Sequence, residues 1–411
     1  MLSVVSKIFK VTELSTSREI YDQIVNFLDW SFKFIGCGIL STDFKFTNPL
    51  LMILLLDFVT YIPINIYDVY LFRDDFIRDM FCLVTLGNGF QGGIKLYTFI
   101  MQRDNLLEIF STAEEFIEDM KNRDCSEKFK KWLIISCHII LGVVILFLLG
   151  GALVFIYPAV VYIFIGKITL HFGFILPTVD PDSIVGYSLN LIHHTLQIYI
   201  TVLALFTTLN MTVFIIIIAL AKYESFYVML NQLNVLIASR VQDQKKIKEK
   251  FEEIIQEHVK LIDYLKYFNK IFSSYYQVEI FSIAFQTTVT LFTCSIDIHF
   301  LPGYPILVVD LFQIFAPCLL GTILELHCDK FFNKLAELSW IHLPLPMQKS
   351  VLIMMLQAQP THIEELFGFI ELLLKKLFDL MELSYGEDLW NCEEKFTIGY
   401  EELIVIVTLA I

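Results

Sequence analysis

The chain has 411 residues, 56% of them apolar and 18% charged, with a mean hydropathy of +0.64 and a formal charge of −14. A soluble domain carries about a quarter charged residues, so the surplus apolar surface calls for a lipid bilayer as solvent. The acidic balance, with no basic arm or arginine-rich tract, excludes a nucleic-acid partner.

Met1–Lys10 mixes Lys7 and Lys10 among apolar residues, with no cleavage site before the charged stretch Glu13–Asp29. The expectation is therefore a cytosolic segment over 1–47 rather than a signal peptide, with the first span as the insertion signal. The eight cysteines show no CxxC and no disulfide-like spacing, which argues against a disulfide scaffold.

A span needs roughly 20 mostly apolar residues. Six stretches qualify: Asn48–Phe72, Ile77–Met101, Trp132–Tyr157, Gly186–Leu220, Phe268–Ile296 and Tyr304–Leu326. The fourth and fifth exceed one bilayer, and apolar residues at helical spacing continue through Ala221–Leu236 and Ile247–Tyr267. Both are expected to run on as helices into the cytosol. A seventh stretch, Phe367–Tyr385, carries Glu371, Lys375, Lys376, Asp379 and Glu382. Central charges cost about 2.5–3.5 kcal/mol each on the insertion scale. Its i,i+4 pairs and a face turned to protein or water would soften that cost. The residues alone leave two readings open, a span and an amphipathic cytosolic helix.

Loop charge sets the orientation. Segments 1–47, 102–131, 221–267 and 327–366 hold 22 Lys and Arg, against 3 in 73–78, 157–185 and 297–303. The positive-inside rule then puts the N-terminus in the cytosol. A G-protein-coupled receptor has its N-terminus outside, so this seven-helix class is disfavoured. A transporter should show internal repeats or matching broken helices, and none is visible.

From about Gly321 to Tyr385 the sequence reads Leu324-Glu325-Leu326-His327-Cys328-Asp329, then Leu335-Ala336-Glu337-Leu338-Ser339-Trp340. Leu343-Pro344, Lys349-Ser350-Val351-Leu352, Gln357-Ala358-Gln359-Pro360, Phe378 and Ser384-Tyr385 follow. This combination resembles the C-terminal signature of insect odorant receptors. Weaker matches lie upstream, at Leu176-Pro177 before Tyr187 and Gln197 and at His258 before Ile271-Phe272-Ser273. The resemblance implies an all-α, seven-span subunit of an odorant-gated, non-selective cation channel, in the plasma membrane of olfactory sensory neurons. Family members form tetramers around a central pore, with an obligate co-receptor as partner and a small volatile odorant as ligand. Cytosolic extensions of helices four to seven form the intersubunit anchor, here including 327–366. The seventh helix is split in the family, so Pro346–Gln359 becomes its cytosolic piece and 367–385 the pore-lining piece, with Asp379, Glu382, Ser384 and Tyr385 facing the pore. One departure stands out. After Tyr385 the family continues into an apolar gate, whereas 386–411 opens with Gly386-Glu387-Asp388 and further acids, so an altered tail is expected. A gustatory receptor, the nearest alternative, carries a Thr-Tyr-(five apolar)-Gln-Phe motif in helix seven that is not present here.

The resemblance places the ligand pocket between the outer halves of spans two, three, four and six. These offer Phe81, Thr85, Leu86, Asn88, Phe155, Tyr157, Tyr187, Gln197, Tyr199 and Phe312. Aromatic walls with few polar handles suit a volatile ligand held mainly by area burial. Each aromatic has a plainer reading as packing or lipid contact.

Other residues invite readings of their own. His193 and His194 point about 100° apart on a helix and cannot face one ion together. Asp297, His299 and Asp310 are read as solvated helix ends near the outer mouth, with cation attraction as the alternative. Lys95 is read as snorkelling. Glu279, an intramembrane acid with no evident partner, is a functional candidate, for example at a subunit contact. Lys245–Ile255 is mixed in sign, as an exposed anchor helix would be. No G-x-S-x-G, H-E-x-x-H or P-loop is present, so neither an enzyme nor a cofactor is expected.

Overall fold

In the computed structural model, residues 16–41, 44–120, 125–238, 244–297 and 300–358 are described, and all their regular structure is helical. Helix α1 (Ser17–Phe34) is opened by a capping box in which Thr16 and Glu19 satisfy each other's backbone N–H groups. Its buried residues Ile20, Tyr21, Ile24, Phe27, Leu28 and Phe32 recur at helical spacing and form one apolar stripe.

Three spans follow. Helix α2 (Pro49–Leu71) has Asn48 as N-cap and Pro49 at its first position. Leu50, Met52, Ile53, Leu55, Leu56 and Val59 are exposed, as lipid-facing residues must be. Helix α3 (Phe76–Met101) packs on α2 through Gly89 and Gly93. A Cβ at either would lie 2.1 Å from a ring carbon of Tyr61 or Phe58, the small-residue approach familiar between membrane helices. After α4 (Arg103–Met120), helix α5 (Ser126–Ile165) crosses in 40 residues and ends on Gly166 in the left-handed region, φ 74°.

Helix α6 (Ile184–Ala238) and helix α7 (Gln244–Ile296) have 55 and 53 residues. At about 1.5 Å per residue each is about 80 Å long, more than twice the roughly 30 Å apolar core of a bilayer. Helix α8 (Gly303–Ala336), a 3₁₀ turn at Trp340–His342 and helix α9 (Leu345–Gln357) complete the described chain. Of the stretch expected as the cytosolic piece of helix seven, Pro346–Gln359, residues 346–357 fall on α9 and Gln359 lies outside the described residues.

Among the described residues, five helices are long and apolar enough to cross a membrane: α2, α5, α6, α8 and the Val278–Ile296 part of α7. Helix α3 matches the expected second span in place and length but is less apolar. Helix α6 is the axis of the bundle, packing on α3, α5, α7 and α8, and Leu203–Ala221 is buried throughout. Its long apolar run therefore faces protein, whereas those of α2 and α5 face lipid.

The segment 102–131, counted above as a loop, is partly the packed helix α4, which lies against α7. Lys260 bonds Asp119 at 2.6 Å, and Arg18 reaches Glu114, tying α7 and α1 to α4. Deeper on the same side, Lys222 and Glu257 form a buried pair, with the Lys222 ammonium 4.1 Å from the centre of the Phe116 ring.

Three sequence expectations are corrected in the membrane region. Lys95 does not snorkel: it is 1% exposed, and its Nζ lies 2.5 Å from Glu279 Oε1 and donates to Gln313 Oε1 at 2.6 Å. Glu279 is accordingly not without a partner. Asp310 is no solvated helix end but fully buried, accepting from Gln286 Nε2 at 2.7 Å. A bare charge in this environment would be costly, and helical spacing turns all of these groups inward to one another.

Candidate ligand cavity

The extracellular connection between α5 and α6 folds back onto the bundle instead of lying in solvent. His171 and Phe174 are 2% and 0% exposed. Arg78 Nε donates to the Gly173 carbonyl at 2.8 Å, Asp68 Oδ2 accepts from the Ile175 N–H at 2.7 Å, and Asn190 Oδ1 accepts from the Leu176 N–H at 2.7 Å. His171 Nε2 bonds the Phe155 carbonyl at 3.0 Å. Three side-chain contacts thus satisfy a buried loop backbone that would otherwise hold it in water, and His171 ties the loop to α5. Burial lowers the proton affinity of His171, so this anchor stays uncharged.

Beneath this cover lies a cavity with about 80 Å³ available to the centres of water-sized atoms. One water needs roughly 10–15 Å³ on that measure, so the space suits a small organic molecule. Helix α3 contributes Thr85 and Asn88, α5 contributes Phe147, Gly150, Gly151 and Val154, and α8 contributes Pro305, Ile306 and Val309. From α6 come Gln197, Ile198, Thr201, Val202 and Leu205, while Tyr61 of α2 and Phe172 of the covering loop close the ends. A smaller void between α2, α3 and α6 shares Tyr61, Gln197 and Thr201 with it and adds Asp57.

The polar groups are held by their neighbours. Tyr61 donates its hydroxyl proton to the Thr85 carbonyl. Thr85 Oγ1 lies within hydrogen-bond distance of Asn65 Oδ1 and of the Phe81 and Cys82 carbonyls. Gln197 Nε2 donates to Asp57 Oδ2 at 2.7 Å, and His193 Nε2 sits 3.8 Å from the other Asp57 oxygen. Next to it His194 is fully buried, its ring centre 4.4 Å from that of Phe174.

Of the ten residues expected at the pocket, the structure brings Thr85, Asn88 and Gln197 together in this lining. The other seven lie elsewhere. Phe81 packs edge-on against Phe300 at 4.7 Å, in a small cluster with Cys294 and Leu307. Phe155 stacks on His171 at 5.4 Å with its other side exposed. Tyr187 donates to the Thr169 carbonyl at 3.2 Å. Tyr199 is 45% exposed on the outer face of α6. Leu86, Tyr157 and Phe312 are half-buried and outside the lining. The expected pore residues Asp379, Glu382, Ser384 and Tyr385 lie outside the described residues, as do His299 and the tail 386–411.

Sequence reasoning missed Tyr61, Phe147, Phe172 and, behind the wall, Asp57. Asp57 carried a legible signal, since it is an acid inside an apolar span. Phe172 carried none, because nothing local says that a loop aromatic turns inward.

Residues 75–385 match the 7tm Odorant receptor family. Among solved structures, the chain is similar to the insect olfactory receptor OR5 from Machilis hrabei in complex with eugenol. That likeness has 12% identity and a TM-score of 0.65 over 88% of this chain and 98% of that one. A second structure of the same receptor aligns with 12% identity and a TM-score of 0.67, over 87% and 97% of the two chains. No curated protein matches.

Proposed function

The chain belongs to the 7tm odorant receptor family, a receptor and not an enzyme, and we propose that within it this chain is the ligand-tuning subunit of an odorant-gated, non-selective cation channel. It assembles with a co-receptor subunit as a hetero-oligomer, a tetramer around a central pore, in the plasma membrane of olfactory sensory neurons. The observation that carries this reading is the covered cavity. It is lined by five helices and a loop, mostly apolar, and of a size for a volatile molecule. The similar Machilis hrabei receptor is described in complex with eugenol, a molecule of that kind.

Two further features support the assignment. Helices α6, α7 and α8 outrun the bilayer and offer a cytosolic surface for neighbouring subunits. Between α6 and α7 only residues 239–243 intervene, whereas a co-receptor carries a much longer connection there. The pore is assigned to 367–385, with Asp379, Glu382, Ser384 and Tyr385 on its wall.

Co-expression with a co-receptor, followed by recording of odorant-evoked current, tests the proposal. An inward cation current that needs both chains is expected. Silence across a broad odorant panel despite surface delivery would overturn it.

A further inference from the structure

If the cavity holds the ligand, as proposed above, the hydrogen-bonding state of its wall restricts which ligand it takes. The committed protons come first. The Tyr61 hydroxyl proton is spent on the Thr85 carbonyl. The Thr85 hydroxyl has only acceptors around it, namely Asn65 Oδ1, whose own amide donates to the Tyr61 carbonyl at 3.0 Å, and two carbonyls of α3. Neither hydroxyl has a proton left for a guest.

The two lining amides are both oriented with their oxygens unspent. A carboxylate accepts and cannot donate, so Asp57 fixes the NH2 group of Gln197 on its own side. Turning that amide over would set oxygen against oxygen. Asn88 Nδ2 is likewise engaged with the Val84 carbonyl at 3.4 Å. Among the described residues, Gln197 Oε1 and Asn88 Oδ1 have no donor, and both residues line the cavity. Thr201, one turn along α6 from Gln197, can donate or accept. Everything else on the wall is apolar.

We propose that this cavity selects small alcohols or phenols over ketones and ethers of the same skeleton, the ligand hydroxyl donating to Gln197 Oε1. Asp57 acts as the positioning residue that gives the site its acceptor character. A ketone or ether brings only acceptors and leaves Gln197 Oε1 and Asn88 Oδ1 unmatched, and an unmatched buried acceptor loses a hydrogen bond it had in water. The same logic lets a polar pocket reject analogues that lack a single group.

The test uses the purified full-length chain in lipid nanodiscs with 2-heptanol, 2-heptanone and 2-methoxyheptane, reading Kd from the ligand dependence of thermal unfolding. The alcohol is expected to bind about tenfold more tightly than either analogue, the effect of one net hydrogen bond. Asp57→Asn frees the Gln197 amide to turn and should bring ketone and alcohol to within about twofold, chiefly by a gain for the ketone. A merely structural role for Asp57 would weaken all three ligands together. Gln197→Met removes the amide and should erase the preference while retaining apolar binding, which keeps the idea testable if Asp57→Asn fails to fold. Equal affinity for the three ligands in the unsubstituted chain, no binding of any of them, or an alcohol preference that survives Asp57→Asn would each overturn the proposal. Current is recorded separately with the same ligands. Alcohol-selective binding without current would count against the channel reading and leave this proposal standing.

Discussion

Lys95 Nζ lies 2.5 Å from Glu279 Oε1, both side chains almost wholly buried, and this contact joins α3 to α7 in the middle of the membrane region. The same ammonium acts electrostatically on the buried Asp310 of α8, which also accepts from Gln286. One positive group thus serves two acids on two helices.

Removing that cation should therefore cost more than removing either acid. Lys95→Met leaves Glu279 and Asp310 uncompensated, and breaking a buried pair costs about 3–5 kcal/mol. Surface delivery and thermal unfolding in detergent should both fall sharply for Lys95→Met and less for Glu279→Gln. The double variant Lys95→Met/Glu279→Met should recover part of the loss, since apolar replacement of a buried pair is often nearly neutral. A double variant worse than either single would contradict the pairing.

On the cytosolic side, His258 of α7 is buried with its ring 5.1 Å from that of Phe331 and 6.0 Å from that of Phe226. Burial lowers its folded-state pKa from 6.5 to about 4. The unfolded chain then takes a proton that the folded chain refuses. The contribution of neutral His258 is intact above pH 6.5 and is lost as pH falls from there toward 4, by on the order of 3 kcal/mol. His258→Phe should flatten the pH dependence of thermal unfolding in that window.

The close approach of α2 to α3 rests on Gly89 and Gly93, where an added Cβ would meet the Tyr61 and Phe58 rings. Gly89→Val should push Tyr61 off its place, costing about 1–3 kcal/mol by overpacking. Because Tyr61 also closes the cavity, ligand potency should drop in the fraction that still reaches the surface. Gly142, with no atom within 4 Å of its would-be Cβ, is the control: Gly142→Ala should leave both measurements unchanged.

Val202 and Gly151 face each other across α6 and α5 and both line the cavity. Val202→Phe should fill much of the available space. Bulky ligands should lose potency in dose–response recordings by about tenfold or more, while the smallest active ligands keep theirs. A uniform loss for all ligand sizes would point to misfolding instead.

Much of the architecture was legible along the chain. Span length, the cytosolic run-on of the fourth and fifth spans and the orientation each depend on quantities summed over short windows, namely apolar content, helical period and loop charge. Contacts between distant residues were not legible in the same way. Gln197 could be named as a polar handle, but its orientation depends on Asp57, 140 residues earlier. The aromatics Tyr187 and Tyr199 were expected at the pocket and Phe147 was not, yet of these three it is Phe147 that lines the cavity.

The sequence by itself determined that this is a multi-pass helical membrane protein and which family it resembles, because the bilayer imposes length and hydropathy on every span and the signature residues are contiguous. Only the tertiary structure decided which face of each helix turns inward. It alone paired Lys95 with Glu279, folded the α5–α6 loop over the cavity and aimed the amide of Gln197. Those choices minimise unpaired charge and unmatched hydrogen bonds among groups that are far apart in the chain and meet only when the helices pack.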